Sequence, residues 1–120
     1  MRNEEVVNAL RDMKRQIEDE EWTIPSNDRG SGSAGVSLIR DTSAIDEYLR
    51  FAETGDNENI PQCHDIYYIS VDDFDDEDNE VIDEMLEYAD FVDREEIIGL
   101  VVCDEYYDMD YTFYLAHIKG

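Results

Sequence analysis

Carboxylate side chains are crowded into one part of this sequence, and any fold must hold them at the surface around a buried core. Residues 41–120 contain 25 Asp and Glu against 3 basic residues, whereas residues 1–40 contain 8 acidic and 6 basic residues. The formal net charge is -24, and self-repulsion at this density destabilises a compact state. A salt-adapted protein is acidic throughout. The asymmetry therefore favours a localised negative surface over acids that only keep the chain solvated.

The apolar content indicates a folded protein rather than an acidic tail. Apolar residues make up 42% of the 120 residues, with 8 Tyr and 4 Phe. Disordered acidic chains have much lower hydrophobicity, and a chain of this length can form one modest core. We therefore expect one acidic domain over residues 1–120.

Membrane association and a disulfide scaffold are not expected. No apolar run reaches the length of a transmembrane helix, and the N-terminus has no pattern of a cleavable signal. Anionic lipid surfaces repel a chain of this charge. Cys63 and Cys103 are single cysteines in separate segments, which favours reduced thiols and a cytoplasmic location.

Hydrophobic periodicity predicts an α+β fold with about three helices on a small, mostly antiparallel sheet that ends in a C-terminal β-hairpin. Val6, Leu10 and Met13 form one stripe of a helix over 3–19, with Asn3 as its N-cap. The Ser- and Gly-rich composition of 26–35 predicts a flexible loop, whose glycines do not form a phosphate-binding motif. The other predicted elements are helices over 43–54 and 75–92 and strands over 22–25, 36–40, 65–71, 97–103 and 111–118.

The predicted helix over 75–92 carries a row of carboxylates beside its apolar stripe. The row follows the spacing i, i+4, i+7, i+11 and i+14, and Glu84 thickens it; its members are Asp76, Glu80, Asp83, Glu87 and Asp90. Such a row offers a carboxylate about every 5.4 Å of helix axis, whereas DNA offers a phosphate about every 3.4 Å per strand. The predicted hairpin tip adds Asp104, Glu105, Asp108 and Asp110. Together they predict a surface that fits a groove lined with Lys and Arg.

Tyrosines are interleaved with the acids of the hairpin. Tyr106, Tyr107 and Tyr111 lie among the carboxylates, and Tyr is an efficient residue in protein interfaces. Two interpretations remain open. Tyr106 and Tyr107 contact a partner, or the tyrosines simply cover the sheet.

In size, composition and acidic-helix layout, the chain resembles the DNA-mimic inhibitors of phages and mobile elements. That class includes anti-restriction proteins, some anti-CRISPR proteins and inhibitors of uracil-DNA glycosylase. The segment 104–111 also looks like an acidic segment of the staphylococcal uracil-DNA glycosylase inhibitors. The resemblance implies a protein that blocks a nucleic-acid-binding site and is not an enzyme.

Other chemistries are less well supported by the sequence. An EF-hand pattern places a set of residues at loop positions 1, 3, 5, 7 and 12, namely Asp73, Asp75, Glu77, Asn79 and Glu84. Position 6 is Asp78, where the sharp turn of a calcium loop needs Gly. With 33 acids, paired carboxylates are inevitable, and His64 beside Cys63 lacks an evident constellation. We expect no catalytic residues, no metal site and no cofactor.

The sequence thus predicts a DNA-mimic inhibitor of a defence or repair enzyme such as a CRISPR effector, a restriction enzyme or a glycosylase. The alternative is an immunity protein that neutralises a basic nuclease toxin, and a third option is a metal-buffering or purely solvating domain. The expected partner is a basic nucleic-acid-binding protein or nuclease, not nucleic acid itself, because a surface of this charge repels phosphate. The oligomeric state stays open.

Overall fold

The computed structural model describes residues 3–30, 35–106 and 110–120, and of Tyr106 and Asp110 it describes the backbone alone. Three helices accompany a five-stranded sheet, which confirms the predicted α+β class and the C-terminal hairpin. The helices are α1 (Glu4–Glu20), α2 (Thr42–Thr54) and α3 (Asp76–Tyr88). The strands are β1 (Ile24–Gly30), β2 (Gly35–Ile39), β3 (Cys63–Ser70), β4 (Ile97–Tyr106) and β5 (Asp110–Ile118). Short 3-10 turns cover Val71–Asp73 and Arg94–Glu96.

The sheet is antiparallel throughout and has the strand order β2-β1-β5-β4-β3. Helices α1 and α2 pack on one face, where Leu10 and Met13 meet Ile66 and Leu115. Helix α3 packs on the other face against Leu100, Val102 and Tyr114. Within the described ranges, no helix is long and apolar enough to cross a membrane.

Capping interactions set the ends of the first two helices, and Asn3 is the predicted N-cap of α1. The Asn3 side chain accepts a hydrogen bond from the Val6 N–H (3.4 Å) at the start of α1. The Asp41 carboxylate accepts from the Ser43 N–H (2.9 Å) at the start of α2. Gly55 ends α2 in the left-handed region, with φ of 79°, where glycine has no steric penalty.

The predicted loop over 26–35 is wrong, because β1 continues to Gly30 and β2 begins at Gly35. Two polar residues of β1, Ser26 and Asn27, have hydrogen-bond partners inside the fold. Ser26 and Asn27 are buried, and the Ser26 hydroxyl donates to the Ser37 carbonyl (3.1 Å). The polar composition therefore reflects a strand whose Ser26 and Asn27 side chains form hydrogen bonds within the protein rather than with water. Residues 31–34 of the predicted loop lie outside the described residues.

The predicted helix over 75–92 is too long. Helix α3 ends at Tyr88, and the Ala89 N–H closes its last turn on the Met85 carbonyl (2.9 Å). Ala89 and Val92 are both buried. A turn between them directs the chain back toward Ile97 and β4, so that both side chains reach the core.

The two cysteines are not separate thiols, because Cys63 of β3 and Cys103 of β4 form a disulfide. Their Cα atoms are 6.2 Å apart, within the usual range for such a bond. Both residues are buried in the core beneath α1 and α2. The expectation of reduced thiols is therefore wrong, since neighbouring strands bring together residues that are 40 positions apart.

A chain of side-chain hydrogen bonds ties β3, β5 and α1 together. With its proton on Nε2, the His117 ring accepts from the Tyr68 hydroxyl at Nδ1 (2.6 Å) and donates to Asp12 (3.1 Å). Burial, followed by the charges of Glu5 and Asp12, raises the pKa of Tyr68 to about 12, so the hydroxyl stays protonated and donates. Gly99 of β4 leaves the space through which Tyr68 reaches His117, because a Cβ there would overlap the Tyr68 hydroxyl.

We expect Gly99→Ala to lower the free energy of unfolding by about 1–3 kcal/mol, since the added methyl group forces Tyr68 out of position. Urea unfolding measures the loss. Gly35→Ala is the matched control, because a Cβ at Gly35 has no atom within 4 Å; its effect should stay within about 0.5 kcal/mol. Equal stability of the two variants would contradict this role of Gly99.

Candidate functional site

Helix α3 begins with a reciprocal cap made by two aspartates. The Asp75 carboxylate accepts from the Asp78 N–H (2.9 Å), and the Asp78 carboxylate accepts from the Asp75 N–H (3.1 Å). Asp76 and Glu77 occupy the same first turn, where the positive end of the helix dipole stabilises negative charge. The most acidic part of the chain is thus placed at a helix end that tolerates it.

Two polar residues of β1 attach α3 to the sheet. The Asn27 amide donates to the Val81 carbonyl (3.2 Å) and to the Glu84 carboxylate (3.1 Å). The Arg29 guanidinium lies 3.4 Å from Glu84 and 3.7 Å from Glu80. These contacts fix which side of α3 faces solvent.

The carboxylate row on α3 is exposed, but it is shorter and less negative than predicted. Asp76, Glu80, Asp83 and Glu87 are exposed, and Glu84 is half-buried. Asp90 is exposed but lies in the turn after the helix, so the row has four members rather than five. Arg29 contacts Glu80 and Glu84, and Arg94 pairs with Asp83. Internal arginines therefore neutralise the middle of the row.

The predicted acids of the hairpin do not form one surface. Asp104 is half-buried on β4, whereas Glu105 is buried with 4% of its surface exposed. Glu105 therefore does not present a carboxylate to a partner, because alternate residues of a strand point to opposite faces. The side chains of Tyr106 and Asp110, and all of Tyr107 and Asp108, lie outside the described residues.

A different group of carboxylates surrounds Tyr67, an exposed residue of β3. In the β3–β4 register, Asp65 lies opposite Asp104, and Tyr67 lies opposite Val102 on the face that carries α3. Burial raises the pKa of the Tyr67 hydroxyl. Nearby negative charges raise it further, and they belong to Asp104, Asp65, Asp78 and Glu77. We call Asp65, Tyr67, Glu77, Asp78 and Asp104 the Tyr67 patch. Asp78 is buried, with 5% of its surface exposed, so it contributes charge to the patch and not a surface contact.

Burial, followed by repulsion from neighbouring carboxylates, raises the pKa of two carboxyls of the patch, Asp78 and Asp104. The pKa of Asp104 is raised by burial and then by the charge of Asp65, although His64 opposes the shift. The pKa of Asp78 is raised mainly by burial. A cationic partner that contacted the patch would relieve this repulsion, so the patch is suited to bind a positive group.

Sequence reasoning missed Asp65 and Tyr67 as site residues. The signal was present in the alternation of β3, where buried Ile66 is flanked by exposed Asp65 and Tyr67. The sequence pattern did not reveal the strand order. That order makes β3 an edge strand and places Asp65 opposite Asp104 of β4.

The EF-hand pattern does not form a calcium loop. Helix α3 begins at Asp76, so Glu77, Asn79 and Glu84 are helical and do not wrap around one centre. Among the described residues, no group of three or more His, Cys, Asp or Glu side chains is arranged to hold a metal ion.

Comparisons with known proteins provide no relative: no protein-family model matches this chain, and no curated protein or solved structure matches it.

The raised pKa values predict that stability falls as pH rises toward neutrality. Because the pKa values of Asp28, Asp78 and Asp104 are raised, the folded state binds more protons than the unfolded state between the ordinary Asp pKa of 3.8 and the raised values. The contribution of these groups to the free energy of unfolding is therefore present below the ordinary Asp pKa and lost as pH rises through the raised values, so the free energy of unfolding should be higher near pH 4 than at pH 7. Asp104→Asn should raise it at pH 7 by roughly 0.2–1 kcal/mol, since it removes a like-charge pair across two strands.

Urea unfolding of both proteins near pH 4 and at pH 7 tests this expectation. The gain on acidification should be smaller in Asp104→Asn than in the parent. Asp19→Asn is the control, because Asp19 is exposed on α1. An unchanged pH dependence in Asp104→Asn would contradict the assignment.

Proposed function

We propose that this protein is an inhibitor that mimics DNA and blocks the positively charged nucleic-acid-binding site of a defence or repair enzyme. The observation that carries the proposal is the Tyr67 patch, where carboxylates of β3, β4 and α3 gather around one exposed aromatic ring. Carboxylates paired with arginine form strong charge-assisted hydrogen bonds. Tyrosine in such a setting is a typical interface hot spot.

The charge of this region supports a partner that normally holds nucleic acid. Residues 65–105 contain 17 acidic residues and one basic residue, Arg94. Asp65 and Asp104 lie on adjacent strands, with Cβ atoms about 5 Å apart. Exposed Asp76 and Glu77 extend the same surface onto α3. A dense group of carboxylates can stand in for the phosphates of nucleic acid in a groove lined with Lys and Arg.

Arg29 and Arg94 determine which carboxylates of the proposed surface are available to a partner. They pair with Glu80, Glu84 and Asp83 in the middle of α3, and a partner gains less from carboxylates that are already paired. We therefore place the contact with a cationic partner at the start of α3 and at the Asp65–Asp104 pair of β3 and β4. This assignment moves the proposed contact from the helical row to the Tyr67 patch.

Competition with DNA tests the function. The immobilised protein is used to capture binding partners from a lysate, and duplex DNA is then added to the beads. If the protein is a DNA mimic, the added duplex releases the partner from the beads. In a separate titration with the purified partner, the anisotropy of bound labelled DNA falls as the inhibitor is added. An immunity protein that binds beside an active site instead stops cleavage without displacing DNA, and that result would replace the proposal.

Charge reversal tests the surface. We expect Asp65→Lys with Glu77→Lys to weaken binding of the captured partner by about tenfold or more, since both charges lie in the Tyr67 patch. Reversal of Glu80 or Asp83 is a poorer test because it also breaks contacts with Arg29 or Arg94.

The matched control is Glu18→Lys with Asp19→Lys, which makes the same change in net charge on exposed positions of α1. Binding by the control should stay within about twofold of the parent at physiological salt, because α1 packs on the face of the sheet opposite α3 and salt screens exposed charges over roughly 8 Å. Circular dichroism checks that both variants fold. Equal losses in the two double variants would show that total charge matters and the patch does not.

A further inference from the structure

A cavity of about 330 Å³ lies at the end of the sheet opposite the hairpin tip. Its apolar walls are Trp22, Phe91, Val92 and Ile118, and Glu21 and Glu96 also line it. The volume is at the small end of the range for ligand pockets, about 300–1,000 Å³, and suits a single side chain. Phe91 is 55% exposed, so one aromatic wall is accessible from outside.

Local backbone structure builds this cavity. Glu21 follows α1 as its C-cap and has the left-handed conformation, with φ of 56°. The Trp22 N–H then donates a hydrogen bond to the Gln16 carbonyl (3.0 Å). The turn after α3 supplies Phe91. One oxygen of Glu96 accepts from the Asp93 N–H (3.0 Å), which fixes that carboxylate beside the aromatic walls. The cavity is therefore assembled from three segments that are distant in sequence.

The lining selects for a flat cation. Aromatic faces attract positive charge, and the attraction strengthens where water is excluded. Glu21 and Glu96 add two carboxylates, and none of the described residues that line the cavity is basic. A guanidinium group stacks on aromatic rings and donates in a planar fork to carboxylates, which a compact ammonium group does not do.

We propose that this cavity binds an arginine side chain presented by the partner protein. The inference rests on the proposed function, because it takes the partner to be basic. It adds a second anchor on the α3 side of the sheet, at the opposite end from the Tyr67 patch. The partner then contacts an acidic patch at one end and inserts a single arginine at the other.

The isolated protein provides the first test, with N-acetyl-arginine amide as the probe. Trp22 is the one tryptophan of the chain, so its fluorescence and its single indole N–H signal in NMR both report on the cavity. We expect a saturable change at millimolar probe concentration. N-acetyl-citrulline amide has nearly the same shape without the charge and should bind at least threefold more weakly.

Variants separate the cavity from the overall charge. Phe91→Leu keeps the wall apolar but removes the ring, and Glu21→Gln with Glu96→Gln removes both charges while an acceptor oxygen remains for the Asp93 N–H. Each should weaken arginine binding by roughly threefold or more. Glu18→Gln with Glu95→Gln removes two charges at exposed positions outside the lining and should leave binding unchanged.

Three results would overturn the cavity assignment: no saturable response to the arginine probe, equal binding of the citrulline probe, or equal weakening by the Glu18/Glu95 control. The titration contains no partner, so its failure is separate from failure of the proposed function. If the probe binds as expected, Phe91→Leu should also weaken binding of the captured partner by roughly threefold or more. If DNA displaces no captured protein, the partner part of the proposal falls with the proposed function.

Discussion

The attachment of α3 to β1 is the contact on which the acidic surface depends. The Asn27 amide donates to the helix backbone and to the Glu84 carboxylate, and the Arg29 guanidinium lies against Glu84 and Glu80. Without these contacts, a helix with so many like charges would depend on the packing of Val81, Ile82 and Met85 and on the contacts of Arg94 with Asp83 and Asn79. The same contacts turn the remaining acids of α3 outward and set its first turn beside β3.

Much of this fold could be predicted from apolar periodicity alone. Helices α1 and α2, strand β3 and the C-terminal hairpin are formed by side chains whose burial stabilises them directly, so their pattern is visible in the sequence. Strand β1 could not be predicted in this way, because Ser26 and Asn27 are buried through hydrogen bonds to distant residues. The end of α3 was missed because Val92 follows the apolar spacing of the helix although it lies in the turn after it.

The candidate site was only partly visible in the sequence. The spacing along α3 identified four exposed acids, namely Asp76, Glu80, Asp83 and Glu87. It could not indicate that Arg29 of β1 lies against Glu80, because that contact joins two segments distant in sequence. Glu105 was misassigned because strand alternation sends it inward while Asp104 stays half-buried. The Tyr67 patch depends on strand order, which arises from long-range packing rather than from any one segment.

The position of β5 also affects how the protein folds during synthesis. Of the five strands it is made last, yet it lies at the centre of the sheet between β1 and β4. Until it leaves the ribosome, the β1–β2 pair and the β3–β4 pair have no shared strand, and Leu115 and Tyr114 are missing from the two cores. Contacts that span nearly the whole chain form slowly. Cooperative folding therefore begins only after translation of β5, and the nascent acidic segments remain solvated until then.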